Sequence, residues 1–251
     1  MRLRLVALIV LAAMVVGVVV TAAFGSDDSE PVGVTIEWVP NVTGSSTATT
    51  RTSTLSHTPE PQPTVDITGL VFPIEDGCLP DDDNLMPGAS REYRSGTHEG
   101  VDVYDSDNCA FVGLDTEVLA MRAGTVVRAD WGYEGLTAAT LAEFEALIEE
   151  SGGTPEVEDA FRGRQVWIEH PDGTVTRYAH LDGIAEDVDV GSEVAQGEHI
   201  GYVGDSGTPE SVTEPGTQMH LHFEIRIGKS YLGAGLDADA SRALYQAAFS
   251  P

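Results

Sequence analysis

The chain has 251 residues, and 41 acidic against 13 basic side chains give it a net charge of −28. That balance excludes nucleic acid and anionic membrane surfaces as partners, because both are bound through Lys and Arg. The length allows one sizeable domain with its own core, plus additional segments.

Residues 1–25 open with Arg2 and Arg4 and continue as an unbroken apolar run from Leu5 to Phe24. At about 1.5 Å per residue, a helix of that run crosses a hydrocarbon core of roughly 30 Å. It reads as a transmembrane anchor, with a cleavable signal peptide as the alternative, since VTAAFG offers small residues to a peptidase. In both cases the arginines stay inside and the remainder is exported, so the expected location is extracytoplasmic, membrane-anchored or secreted. Residues 26–67 are rich in Ser, Thr, Pro and acid and read as a disordered, solvated linker. His57 is solvated in this reading, and the Asn41-Val-Thr match to a glycosylation acceptor carries no weight.

Residues 68–235 form the candidate functional domain. Short β-type runs punctuated by Gly, Pro, Asp and Asn predict strands at GLVFP, VDVY, EVLAM, GTVVRA, RQVWIEH, TVTRYAH, HIGYVG and MHLHFEIRI. PDGT at 171–174 predicts a hairpin turn. The fold class is all-β, a small antiparallel sheet or sandwich-like domain. One segment within about 131–164 departs from it: TAATLAEFEALIEE places Leu141, Phe144, Leu147 and Ile148 at helical spacing. Thr140 and Glu143 fit a capping box, and Gly152-Gly153 fits a stop. The tail, 236–251, predicts a further short helix. Cys78 and Cys109, the two cysteines of an exported chain, predict a disulfide contributing roughly 3 to 4 kcal/mol on the chain-entropy account.

The chemistry concentrates in three motifs. In MHLHFEIRI, strand alternation puts His220, His222 and Glu224 on one face and Leu221, Phe223 and Ile225 on the other. Imidazole serves as a metal ligand and as an acid or base near neutral pH, so the pair on the second face points to either role or both. Upstream, SGTHEGVDVY places His98 and Asp102 four apart. A helix-borne HExxH zinc site is excluded, because the fifth residue is Asp102 and the glycine-containing segment suits a loop entering a strand. His98, Asp102 and one histidine of the 220/222 pair supply two nitrogens and one carboxylate, the donor set of a catalytic zinc with an open position for water. His180, in RYAHLDG, ends a predicted strand. His170 and His199 lie at turn edges and read as structural or exposed.

HEGVD, YAHL and HLHFEI in this order, with VLAMRAGTVV and VGSEVAQGEHIGYVGDSG between them, resemble the lysostaphin and LytM-type zinc endopeptidases, which cut peptide bonds in bacterial peptidoglycan. The resemblance covers roughly residues 70–230. It implies a small antiparallel β domain with a groove across one Zn2+ per chain, held by His98, Asp102 and His222, with His180 and His220 as catalytic histidines. It implies bacterial peptidoglycan as the partner, and the chain is expected to act as a monomer. The helical segment and the stretch TPESVTEPGTQM ahead of His220 depart from the family pattern and are expected to border the groove, where loops set specificity. Tyr93 and Arg94, just ahead of the first motif, read as solvated loop residues, with contact to substrate as the alternative. The rival functions are a non-catalytic scaffold or activator of another wall hydrolase and a zinc peptidase acting on protein. A biotinyl or lipoyl carrier fails, because the single lysine, Lys229, lacks the expected turn.

Overall fold

The computed structural model describes residues 67–250 and, ahead of them, the backbone of two short segments. The chain divides into two units, Met1–Asp66 and Ile67–Pro251. In the first, β1 (Gly17–Thr21) pairs antiparallel with β2 (Thr35–Val39). A continuous helix expected through the apolar run is therefore not what its described part adopts, and the valines of GVVVT suit an extended backbone. β2 falls within 26–67, at the TIEWV run; the rest of the apolar run and of the linker, with His57 and Asn41, lie outside the described residues. No helix among the described residues is long and apolar enough to cross a membrane.

The second unit begins with β3 (Ser90–Arg91) and β4 (Gly96–Thr97), which pair with each other. Then follow β5 (Val101–Tyr104), β6 (Glu117–Leu119) and β7 (Gly124–Ala129). The insertion supplies α1 (Ala138–Ser151) and α2 (Pro155–Phe161). Next come β8 (Val166–Glu169), β9 (Thr174–Ala179), β10 (Gly183–Ile184), β11 (Glu193–Val194) and β12 (His199–Tyr202). The chain ends with α3 (Glu210–Thr213), β13 (His220–Ile227), β14 (Ser230–Tyr231) and α4 (Ala238–Ala248). The main sheet has the order β11-β7-β8-β9-β13-β14, with β5 also paired to β13, and a smaller sheet has the order β10-β12-β6. Every pairing is antiparallel, as expected for an all-β domain.

Local sequence accounts for these elements. In β8, Val166 and Ile168 are buried while Trp167 and Glu169 point outward, the period of two that one buried face requires. The PDG turn joins β8 to β9: the Gly173 N–H donates to His170 O, and Gly173 adopts φ 80°. The register of β7 on β8 slips between Val126 and Arg128, leaving Val127 unpaired and exposed, as in a β-bulge. The run GLVFP forms no strand. Its backbone bonds instead to two different places, the end of α4 through Gly69 and Leu70 and the β6 region through Val71 and Pro73. The core lies on the face of β13 that carries Leu221, Phe223 and Ile225, where Phe223 packs edge-on against Tyr245 of α4 and against Phe72. Each such apolar side chain, fully buried, contributes roughly 1.5 to 3 kcal/mol.

The insertion has its own small core of Leu141, Ile148, Val157 and Phe161, with Phe144 and Val212 packed against it. Its first helix lies within one residue of the expected 137–150, but its cap differs from the expected one. Thr137, not Thr140, is the N-cap, and Thr140 takes the reciprocal position of the box. Cys78 and Cys109 form the expected disulfide, with Cα atoms 5.4 Å apart.

Candidate metal centre

The groove floor is built by strand register. On one side of β13, His222 lies opposite Asp102 of β5 and His220 opposite Tyr104; on the other side, His222 lies opposite Ala179, the last residue of β9. Cross-strand partners share a face, so the ladder brings Asp102 to His222 and delivers His180 one residue beyond. His98 enters from the loop between β4 and β5. Gly100 in that loop passes so close to the Phe223 carbonyl that a Cβ there would collide with it, which restricts the position to glycine. His180 stands at φ 59°, a left-handed conformation rare for a side chain with a Cβ and characteristic of functional sites. It is held there by its N–H donating to Arg162 O at 2.9 Å.

Three donor atoms converge. His98 Nε2 lies 2.9 Å and His222 Nδ1 lies 2.7 Å from Asp102 Oδ1, and the two nitrogens are 3.1 Å apart. Each side chain is pinned from behind. His98 Nδ1 is 3.0 Å from Met86 O, and since a carbonyl only accepts, that nitrogen carries the proton and Nε2 presents a lone pair. His222 Nε2 lies 3.2 Å from the Glu224 carboxylate, so it too holds a proton and leaves Nδ1 for the centre. The second Asp102 oxygen accepts from Arg91 Nη2 at 2.7 Å. Three acceptors therefore face one point with no donor among them, an arrangement that a shared cation satisfies, and two nitrogens with one carboxylate suit zinc.

All three are buried. Burial lowers the His98 pKa to about 4, in spite of Asp102 beside it. Burial also opposes the charged form of Asp102, but the His98 and His222 imidazoles hold its carboxyl well below the usual range. At His222 burial is outweighed by hydrogen bonds to Asp102 and Glu224, and the pKa is raised.

His180 and His220 stand beside this cluster with ring centroids 4.4 Å apart. His180 Nδ1 donates to Ser206 O at 2.8 Å and His220 Nδ1 to Gln218 O at 2.7 Å, leaving both Nε2 atoms as acceptors. Tyr104 stacks on His220 at 4.4 Å with planes 9° apart. Burial, with His220 adding to it at His180, lowers both pKa values, so both rings are neutral at pH 7.

The structure thus brings together all five residues singled out in the sequence. His170 is a buried structural histidine between Ala123 O and Thr176 Oγ1, and His199 is half-buried on β12. Tyr93 lines the groove at 51% exposure, but Arg94 is buried and donates to Thr97 O, which corrects its reading as a solvated residue. Sequence reasoning assigned no role to Arg91, Tyr104, Gln218 or Glu224. Glu224 alone had a signal, its place two residues after His222 on the same strand face. The groove, about 470 Å³, is walled by α1 through Glu145, by α2 through Phe161 and by the loop carrying Pro209 and Glu210.

A β domain with a buried His/Asp/His donor set at the floor of a groove, flanked by two neutral histidines, has the makings of a metallopeptidase site. The profile of Peptidase family M23 matches residues 96–233, and the chain belongs to this family of lysostaphin and LytM-type peptidases. Over 64 residues it is 44% identical to the cell division protein DipM of Caulobacter vibrioides, a match covering 26% of this chain and 9% of DipM. It is similar to the catalytic domain of the antimicrobial peptidase lysostaphin from Staphylococcus simulans, at 21% identity and TM-score 0.38, over 66% of this chain and 91% of that one. It is also similar to Helicobacter pylori Csd3, at 20% identity and TM-score 0.37, over 65% of this chain and 33% of that one. The chain therefore spans a small part of DipM and a third of Csd3.

Proposed function

We propose that this chain is a zinc-dependent endopeptidase that hydrolyses peptide bonds in bacterial peptidoglycan, in cross-links or stem peptides. The observation that carries the reading is the meeting of His98 Nε2, Asp102 Oδ1 and His222 Nδ1 at one point of a groove that also presents two unprotonated Nε2 atoms. A zinc ion held by His98, Asp102 and His222 supplies a Lewis acid for the scissile carbonyl and lowers the pKa of water. The chain's own residues do the rest. His180 and His220, neutral and with Nε2 free, accept the proton of the attacking water; once protonated, the same Nε2–H donates to the developing oxyanion or to the leaving amine. Tyr104 and Gln218, joined by a 3.2 Å hydrogen bond, keep the His220 ring facing the groove. The exported location, a linker over the rest of 26–67 and action as a monomer belong to the same proposal.

Purified sacculi incubated with the chain, with and without chelator, test the reading. It expects chelator-sensitive release of muropeptides with a new amine terminus. A non-catalytic scaffold for another hydrolase would release none at any metal concentration, and a protein-directed peptidase would cut casein but not sacculi.

A further inference from the structure

Further along the metal-facing side of β13, past His222, lies a cluster of charged groups that the proposed chemistry does not use. Glu224 is fully buried. Its Oε1 accepts from Arg162 Nε at 2.7 Å and lies 3.2 Å from His222 Nε2, while its Oε2 accepts from Arg177 and Arg226. Glu99, the neighbour of His98 in sequence, accepts from Arg162 Nη2 at 2.6 Å and from Arg226 Nη1 at 2.8 Å. The Arg162 guanidinium therefore spans two carboxylates, one behind His222 and one beside His98. Of the three arginines on Glu224, it alone bonds the oxygen that meets His222. Arg177 is committed to the face of Trp167, 3.7 Å from the ring centroid.

Arg162 is not part of the sheet. It caps the C-terminus of α2, so it belongs to the inserted segment. Its carbonyl accepts the His180 N–H, and the following Gly163, at φ 66°, presses on Ser206, whose carbonyl accepts from the His180 ring. One residue of the insertion thus bears on His222 through its side chain and on His180 through its backbone.

We infer that Arg162 is a positioning residue through which the α1–α2 insertion sets the metal affinity of the site, by fixing the Glu224 carboxylate that orients His222. The inference rests on the reading of His98, Asp102 and His222 as zinc ligands. A carboxylate behind a ligating histidine fixes its tautomer and ring orientation, and loss of such a partner typically weakens metal binding 10- to 100-fold. A buried carboxylate keeps its charge and orientation only while its cations stay in place. Arginine's planar fork holds two carboxylates at once through separate nitrogens in fixed directions, whereas a lysine offers a single nitrogen that sets no such geometry.

The test is zinc affinity of the full chain by competition with a chromophoric chelator, together with the visible absorption of the cobalt-substituted protein. Arg162→Gln is expected to bind zinc about 10- to 100-fold more weakly and to shift the cobalt spectrum, and Arg162→Lys to fall between it and wild type. Arg128→Gln is the control: Arg128 bonds Asp159 of α2 and lies 4.7 Å from the Trp167 ring centroid, but has no bond to Glu224 among the described residues. It should leave both readouts unchanged. Should Arg162→Gln fail to fold, Arg162→Lys carries the test, with an expected weakening of several-fold. Wild-type affinity in the Arg162 variants, or equal weakening in Arg128→Gln, overturns the inference while leaving the zinc reading intact. A wild-type chain that binds no zinc overturns both.

Discussion

The floor and the rim of the groove are built by different means. The floor is a set of ladder partners, Asp102 and His222 across β5 and β13 and His180 one step past the end of β9, over a continuous apolar core. The rim is the α1–α2 pair and the α3 loop, held on a separate small core of Leu141, Ile148, Val157 and Phe161. Strand register moves in whole-residue steps that turn every side chain to the other face, so floor geometry is fixed sharply. A helical pair on its own core can vary in sequence and position without moving the floor. On the proposed reading the floor would carry the chemistry and the rim the substrate preference, with the Arg162–Glu224 contact joining the two.

The comparison breaks most visibly at the floor. His222→Ala or Asp102→Ala is expected to abolish bound zinc and to lower muropeptide release by more than about 10³-fold, measured as metal content and initial rate. His180→Ala and His220→Ala are expected to keep one zinc per chain yet lose about 10²- to 10⁴-fold in kcat, the span of general acid–base catalysis. A His220 variant with full activity would remove that residue from the mechanism.

Acid provides a third, intermediate effect. Burial lowers the pKa values of His98, to about 4, and of His170, His180 and His220. At these four histidines the unfolded chain binds more protons than the folded one below pH 6.5, so their contribution is complete above that value and falls as pH drops towards 4; His222, whose pKa is raised, opposes them, and its contribution is lost as pH rises above 6.5. Urea midpoints of the metal-free protein at a series of pH values should decline across this window, and a flat profile would contradict the burial of neutral imidazoles. The smallest effect belongs to the rim: Tyr93→Ala should raise KM several-fold with kcat and zinc content near wild type. A kcat loss comparable to that of His180→Ala would mean that the rim takes part in chemistry.

Much of the floor was legible in the sequence because alternation is a local signal. HLHFEI fixes by itself which residues share a face, and the PDG turn fixes how β8 meets β9. The inserted helix was legible from its 3.6-residue spacing, but not its cap, since the Thr137 and Thr140 pair also forms a capping box and wins. GLVFP has the composition of a strand and is none, because it lies between α4 and the β6 region with too few successive bonds to either. The Arg162–Glu224 contact spans 62 residues and depends on where the insertion ends, which no local pattern encodes. Arg91 behind Asp102 was hidden for the same reason: it depends on how the β3–β4 hairpin folds back.

The most direct test of the metal centre is a crystal structure of the zinc-loaded protein with anomalous scattering measured at the zinc edge. The account predicts one strong peak per chain within about 2.0 to 2.2 Å of His98 Nε2, Asp102 Oδ1 and His222 Nδ1, with the Nε2 atoms of His180 and His220 facing the remaining position. A peak bound through His220 or His180 in place of His222, or none at full zinc loading, would contradict it.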